Sequence, residues 1–198
     1  MEIEAINQAL FHLLNAPEGL SGAPLALAIA AAKYSGLALL AIVVLSWVRG
    51  QAGEWVCLVS IVFAAVLALG INYVLGLTFP HPRPFMIGVG HTYVAHAPEN
   101  SFPSDHATLM WTFALGLLLW TSPWWSGWLA VILAALTSWA RVFLGLHFPF
   151  DMLGSVAVAA TALAIFAPLR PWITRSLMSW AARLHLVPQG PIDHSSPY

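Results

Sequence analysis

The chain has 198 residues, of which 60% are apolar and only 8% charged, with ten tryptophans and a formal net charge of −1. Soluble domains carry about 25% charged residues, so this composition excludes a soluble globular protein and describes one embedded in a membrane. The near-zero net charge also excludes binding of nucleic acid or another polyanion through bulk charge.

The length suits one helical bundle, and residues 1–198 are taken as a single membrane-embedded domain. The one cysteine, Cys57, lies in an apolar run, so no internal disulfide can form. The first apolar run is too long for a signal-peptide core, and Glu2 and Glu4 make the start acidic, so no cleaved targeting segment is expected.

Residues 1–14 place Ile3, Ile6, Leu10 and Leu13 or Leu14 on one face at helical spacing. That helix is too short and polar to span, so it is predicted to lie at the membrane interface, followed by a Pro/Gly turn to residue 24. Spans are predicted at about 25–47, interrupted by Lys33, and at about 55–79. Residues 80–105 form the longest non-apolar segment, with five of the fourteen prolines and three of the eight histidines. Three more spans, at about 106–120, 124–144 and 150–169, meet or approach the roughly twenty residues a bilayer requires. Trp120, Trp124, Trp125 and Trp128 mark an interfacial belt between the third and fourth spans. Residues 170–186 read as a basic amphipathic tail helix and 187–198 as a mobile tail. The expected fold is all-α: a polytopic membrane bundle of about five transmembrane helices plus an N-terminal interfacial helix.

Span parity puts the 80–105 segment and the 141–151 stretch on the same side of the membrane. Arg49, Arg170, Arg175 and Arg183 fall on the other side, against Arg83 and Arg141 on this one. Arginine-rich loops stay in the cytoplasm, so the polar clusters are expected to face outward.

Three such clusters meet there: Phe79-Pro-His-Pro-Arg83-Pro84-Phe85, Ser101-Phe-Pro-Ser104-Asp105-His106, and Arg141-Val-Phe-Leu-Gly-Leu-His147-Phe-Pro-Phe-Asp151. Two arginines outside any lysine cluster suit a phosphoryl group, because the guanidinium fork matches phosphate oxygens. Pro103 is expected to open the third span and leave the N–H groups of Ser104, Asp105 and His106 free, a ready anion site. Pro149 suits the first turn of the next helix, which puts His147 just before that helix and Asp151 within its first turn. A carboxylate four residues on can fix the tautomer of His147, as a nucleophile or base requires. His106 has no such partner and suits a proton donor. The plainer alternative for 147–151 is a turn that only caps a helix.

Taken together, Arg83-Pro84, Pro103-Ser104-Asp105-His106 and Arg141-x5-His147-x3-Asp151 resemble the three-part signature of the type 2 phosphatidic-acid phosphatase superfamily, over about 70 residues. The resemblance implies His147 as a nucleophile that forms a phosphohistidine, Asp151 as its partner and His106 as general acid. It implies Arg83, Ser104 and Arg141 as phosphate ligands; Asp105, next to Ser104, is a further candidate for substrate binding, and neither metal nor other cofactor is expected beside two arginines without a carboxylate cluster. The Pro-Ser-Asp-His form, the Arg-Pro-Phe, the small size and the acidic amphipathic start look most like the bacitracin-resistance type of undecaprenyl-diphosphate phosphatase. The implied substrate is a polyprenyl diphosphate among the lipids of a bacterial plasma membrane, and the implied role is recycling of a cell-envelope lipid carrier.

Three positions depart from the family pattern: Gly76 where Lys is frequent, Ala140 where Ser usually precedes the arginine, and Asp105 where Gly is common. Lys33, the only lysine, either supplies the cation missing at Gly76 or pairs with a polar neighbour within the bundle. His81 and His91 either touch a diphosphate or are solvated loop histidines. His96 and Glu99 read as loop polar groups, and Asn72 as a hydrogen bond between helices. A metal site on His81, His106, His147 and Asp151 is disfavoured because the two arginines would repel the cation. Phosphatidylglycerol phosphate or another lipid phosphate is the rival substrate, and a lipid or drug transporter the rival class. Transporter sites lie near the bilayer midplane, whereas these clusters lie at helix ends.

Overall fold

The computed structural model describes residues 2–50, 52–121 and 124–183, among which the regular structure is entirely helical. The helices are α1 (Glu2–Leu14), α2 (Ala23–Arg49), α3 (Ala52–Thr78), α4 (Asp105–Trp120), α5 (Trp124–Phe143), α6 (Pro149–Phe166) and α7 (Arg170–Arg183), with one 3₁₀ turn at Pro84–Met86. By length and composition α2, α5, α6 and residues 54–78 of α3 are suited to cross a membrane. The expected third span, α4, has sixteen residues, about 24 Å at 1.5 Å per residue. It packs among α3, α5 and α6. The tail helix forms as α7; residues 184–186 and the tail at 187–198 lie outside the described residues.

Lipid tails are as apolar as leucine, so helices in a bilayer are held by close packing and by polar contacts between them. One cluster joins Leu39 and Ile42 of α2, Leu58 and Ile61 of α3, Met110, Ala114 and Leu117 of α4, and Ala130 and Ala134 of α5. Small residues let the backbones approach. A Cβ on Gly127 would lie 2.4 Å from Cα of Leu118, so α4 and α5 cross there only because the side chain is absent. Trp124, Trp125 and Trp128 are exposed at the end of the bundle opposite the polar clusters, as an interfacial belt requires.

α1 is amphipathic in an inverted sense. Its apolar residues Ile3, Ile6, Leu10, Leu13 and Leu14 are exposed, while Asn7 and Phe11 are buried against the bundle. Asn7 Oδ1 accepts the N–H of Phe150 at 3.0 Å, and Gln8 donates to Glu4. The apolar face therefore points to where lipid would be, and the polar face roofs the bundle end that holds the histidines.

The 80–105 segment is stitched onto that end. Asn15 Nδ2 donates to the carbonyls of His91 and Phe143, its Oδ1 accepts the N–H of His91, and the N–H of Tyr93 reaches the carbonyl of Leu144.

Candidate active site

The α5–α6 turn explains how His147 is presented. The N–H of Gly145 bonds to the carbonyl of Val142, and that of Leu146 to the carbonyl of Arg141. This is a Schellman ending, and Gly145 sits at φ +78° as that ending demands. Pro149 then opens α6, so His147 hangs between one helix end and the next helix start. Asp151, in the first turn of α6, receives the N–H of Phe148 on Oδ2 at 2.8 Å, which satisfies a helix-end donor and holds the carboxylate below the imidazole.

His147 is buried, 1% exposed. Its Nδ1 lies 3.0 Å from the carbonyl oxygen of Ser101 and 3.3 Å from Oδ2 of Asp151. A carbonyl can only accept, so Nδ1 carries the proton and Nε2 the lone pair. Onto that lone pair Arg83 Nη1 donates at 2.9 Å. Burial is the main cause that drives the imidazole pKa down to about 4; the hydrogen bond to Asp151 opposes it, and the charges of Arg141 and Arg83 add to the lowering. His147 is thus neutral near pH 7, with a free electron pair aimed at a guanidinium.

Arg83 is itself clamped. Its Nε donates to the carbonyl of Glu99, Nη1 to that of Leu146 and Nη2 to that of Asn100. Arg141, in the last turn of α5, is 4% exposed and donates from Nη2 to Nε2 of His96 at 3.2 Å. Burial holds His96 below the usual histidine range; the carbonyl of Ala97 works against this, and Arg83 and Arg141 reinforce it. Arg141 Nε and Ser104 Oγ are buried and have no hydrogen-bond partner. Buried donors without partners are rare and call for a ligand.

The start of α4 differs from expectation. The helix begins at Asp105, with Ser104 as its extended N-cap, instead of at Pro103. Ser155 Oγ accepts the N–H of Ser104 at 3.0 Å and donates back to carbonyls, which holds Ser104 outside the helix. The N–H of Ser104 is therefore taken, and Asp105 and His106 supply the first-turn N–H groups. Both side chains are exposed, whereas Arg83, Ser104, Arg141, His147 and Asp151 are buried behind them. Asn72 donates to Oδ1 of Asp105 and to Thr108 Oγ1, at 2.8 and 3.0 Å, so it does link α3 to α4.

His81 does not join Arg83 and Arg141. Its ring faces Glu4 Oε2 at 3.3 Å and Asp151 Oδ1 at 3.7 Å, behind the carboxylate that holds His147. Lys33 is exposed on α2, with Nζ 5.3 Å from the ring centroid of Tyr34. Gly76 lies beside Asn100, whose Nδ2 would be 3.1 Å from an added Cβ.

Sequence reasoning passed over two neighbours of the cluster. Ser101 is fully buried; besides its carbonyl contact it donates from Oγ to Asp151 Oδ2. His96, read as a loop polar group, holds Arg141. Neither has a motif spacing to betray it. The available signal was a histidine and a serine within the long polar segment that also carries the second cluster. Among the described residues no three His, Cys, Asp or Glu side chains gather as metal ligands.

In all, the site offers a neutral imidazole with its lone pair fixed by a carbonyl and a carboxylate, two buried guanidiniums, a helix start and an exposed histidine. Such a set suits in-line transfer of a phosphoryl group to nitrogen.

Several known proteins resemble this chain. The chain is 36% identical over 184 residues to YbjG of Escherichia coli K12, named as a candidate undecaprenyl-diphosphatase, covering 90% of this chain and 91% of that one. It is 29% identical over 167 residues to the undecaprenyl-diphosphatase BcrC of Bacillus subtilis, covering 82% and 86% of the two chains. The fold resembles the crystal structure of Aquifex aeolicus LpxE, with TM-score 0.66 and 19% identity over 82% of this chain and 95% of that one. It also resembles a phosphatidylglycerolphosphate phosphatase of Bacillus subtilis, with TM-score 0.58 and 18% identity over 87% and 88%. The sequence pattern of the PAP2 superfamily matches residues 57–175, a stretch that includes Arg83, Ser104, His106, Arg141, His147 and Asp151, and the chain belongs to that superfamily.

Proposed function

We propose that this protein is an undecaprenyl-diphosphate phosphatase, a multi-pass membrane hydrolase that removes the terminal phosphate of the lipid diphosphate. His147 Nε2 attacks the terminal phosphorus, an N–P bond forms, and the bridging P–O bond breaks to release undecaprenyl phosphate. His106 protonates the departing oxygen. Water then attacks the phosphohistidine and returns inorganic phosphate and free His147. Arg83, Arg141 and the α4 start, with Ser104, hold the phosphate oxygens; Asp105 lines the mouth. Asp151 keeps the proton on Nδ1 and balances the charge that develops on the ring.

The observation that carries this reading is the neutral, buried His147 with Nε2 under a guanidinium, beside the unpartnered Arg141 Nε and Ser104 Oγ. The relatives named for undecaprenyl diphosphate, matched over most of their length, support the substrate. Arg49 at the end of α2 and Arg170 at the start of α7, against Trp120, lie at the bundle end opposite the site, which supports a site facing away from the cytoplasm.

Phosphate release from undecaprenyl diphosphate, phosphatidylglycerol phosphate and phosphatidic acid, by purified wild type and His147→Ala, tests the activity. Turnover should be fastest on the diphosphate and absent in the variant, and rapid quenching should trap an acid-labile phosphoenzyme in wild type only. Substantial turnover by His147→Ala would overturn the scheme. Orientation is read by labelling single cysteines in a Cys57→Ser background of intact cells. Val89→Cys should label from outside, and Ala52→Cys should not.

A further inference from the structure

Asp151 has two oxygens, and only one faces the proposed nucleophile. Oδ2 accepts from Phe148 N–H and Ser101 Oγ and faces His147 Nδ1. Oδ1 is buried without a partner. The nearest cation-capable group is the ring of His81, whose Nδ1, also buried and unpartnered, stands 3.7 Å away. Its other nitrogen, Nε2, lies 3.3 Å from Glu4 Oε2 on α1. The edge of the ring is set against Phe148 with centroids 5.4 Å apart, and the backbone N–H of His81 is tied to Asn100 Oδ1 at 2.6 Å. These contacts fix the ring between two carboxylates. Nδ1 thus faces one carboxylate and Nε2 the other.

We propose that His81 is a positioning residue for Asp151, held in turn by Glu4, so that a chain Glu4–His81–Asp151–His147 runs from the interfacial helix to the nucleophile. The proposal rests on the phosphohistidine reading above. A carboxylate held by one oxygen alone can swing about its last torsion; the ring set 3.7 Å from Oδ1 limits that swing. Oδ2 then stays on the Nδ1 proton, and Nε2 stays aimed at phosphorus. His81 also closes one wall of a groove of about 310 Å³ lined with Glu4, Asn7, Phe79, Phe102 and Phe150. This places the ring on the α1 side of Asp151, apart from the guanidiniums. The chain also gives α1 a catalytic reason to be there: its exposed leucines and isoleucines suit lipid, and its polar face reaches the site.

A positioning role predicts a loss in kcat without a loss in phosphate affinity. The test uses full-length protein in lipid nanodiscs, with undecaprenyl diphosphate as substrate and orthovanadate as the phosphoryl probe. His81→Phe keeps the ring against Phe148 and removes both nitrogens. It should lower kcat about tenfold and leave KM and vanadate inhibition within about twofold. Unchanged kcat, or a rise in KM with weaker vanadate binding, overturns the proposal; the latter result would make His81 a phosphate ligand. Glu4 supplies a second measurement should His81→Phe fail to fold. Glu4→Ala should lower kcat about threefold, and Glu4→Gln, which still accepts from Nε2–H, should restore it. In the His81→Phe background Glu4→Ala should add nothing, since its effect passes through the ring. A Glu4→Ala effect that Glu4→Gln does not rescue, or that persists without His81, overturns the chain. Turnover by His147→Ala would instead strike the phosphohistidine reading itself, whatever the His81 variants do.

Discussion

Arg83 Nη1 rests 2.9 Å from Nε2 of His147, so the guanidinium occupies the lone pair that would attack phosphorus. The same group has three backbone carbonyls, of Glu99, Asn100 and Leu146, on three of its four remaining N–H groups. A phosphate oxygen is a better acceptor than a neutral imidazole. An entering phosphoryl group can therefore draw the Nη1 donor to itself and uncover the nucleophile without the arginine leaving its clamp.

Arg83→Lys tests that clamp. An ammonium has three donors on a flexible stem and cannot reproduce a planar fork. At least two charge-assisted bonds are lost, each worth about 1.5–3 kcal/mol, and some buried carbonyls lose their donor. We expect kcat/KM on the diphosphate to fall at least about 100-fold and the melting temperature in detergent to drop. A variant within tenfold of wild type would show that charge alone suffices.

The pH dependence follows from the same environment. His147 titrates at about 4 in the folded protein, against about 6.5 for a free histidine. Between these values the unfolded chain binds the proton and the folded one does not, so stability falls as pH drops from about 6.5 to about 4. The acid limb of kcat/KM assigned to His147 should lie near pH 4, well below the usual histidine range. A limb at about 6.5 that vanishes on substitution of His147 alone would contradict the buried neutral state.

The few charged and polar positions in an otherwise apolar chain pointed to the cluster that Arg83, His147 and Asp151 form in the structure. Pro149 and the four-residue step from His147 to Asp151 place those two correctly because the geometry there is local: a helix start. The helices were legible for the same reason, from runs of apolar residues. What escaped was every contact that crosses between elements. Ser101 meets His147 from a loop 46 positions away, and His81 meets Asp151 only once α3 and α6 pack together. Pro103 misled because Ser155, a full helix away, holds Ser104 outside α4. Ser101→Ala measures one such contact: the carbonyl to Nδ1 remains while the hydroxyl on Oδ2 goes. We expect kcat to fall about tenfold, in line with one hydrogen bond to a charged group, with little change in KM.

Gly145 is the backbone device that turns the chain toward His147. At φ +78° an alanine would cost about 1–2 kcal/mol. Its Cβ would also lie 2.2 Å from the carbonyl oxygen of His91, so the 80–105 segment would have to move. Gly145→Ala should lower thermal stability by more than the conformational cost alone and loosen the loop that supplies His96 and Ser101. Unchanged stability would mean that this segment is free to shift.

The identity of the leaving group gives a last prediction about His106. Breaking a diphosphate expels a lipid phosphate, whereas hydrolysis of a lipid monophosphate expels an alkoxide, a far stronger base. Protonation by a general acid is typically worth about 10²–10⁴-fold, and the gain grows with the basicity of the group that departs. His106 is exposed at the first turn of α4, where it can reach the bridging oxygen of a substrate whose terminal phosphate lies deeper, by Arg83 and Arg141. His106→Ala should therefore harm hydrolysis of a lipid monophosphate more than that of undecaprenyl diphosphate, raising the selectivity for the diphosphate by about tenfold or more. The measurement is kcat/KM for both substrates in wild type and variant, with circular dichroism as the check on folding. Equal losses on the two substrates would mean that His106 holds the phosphate and does not protonate the leaving oxygen.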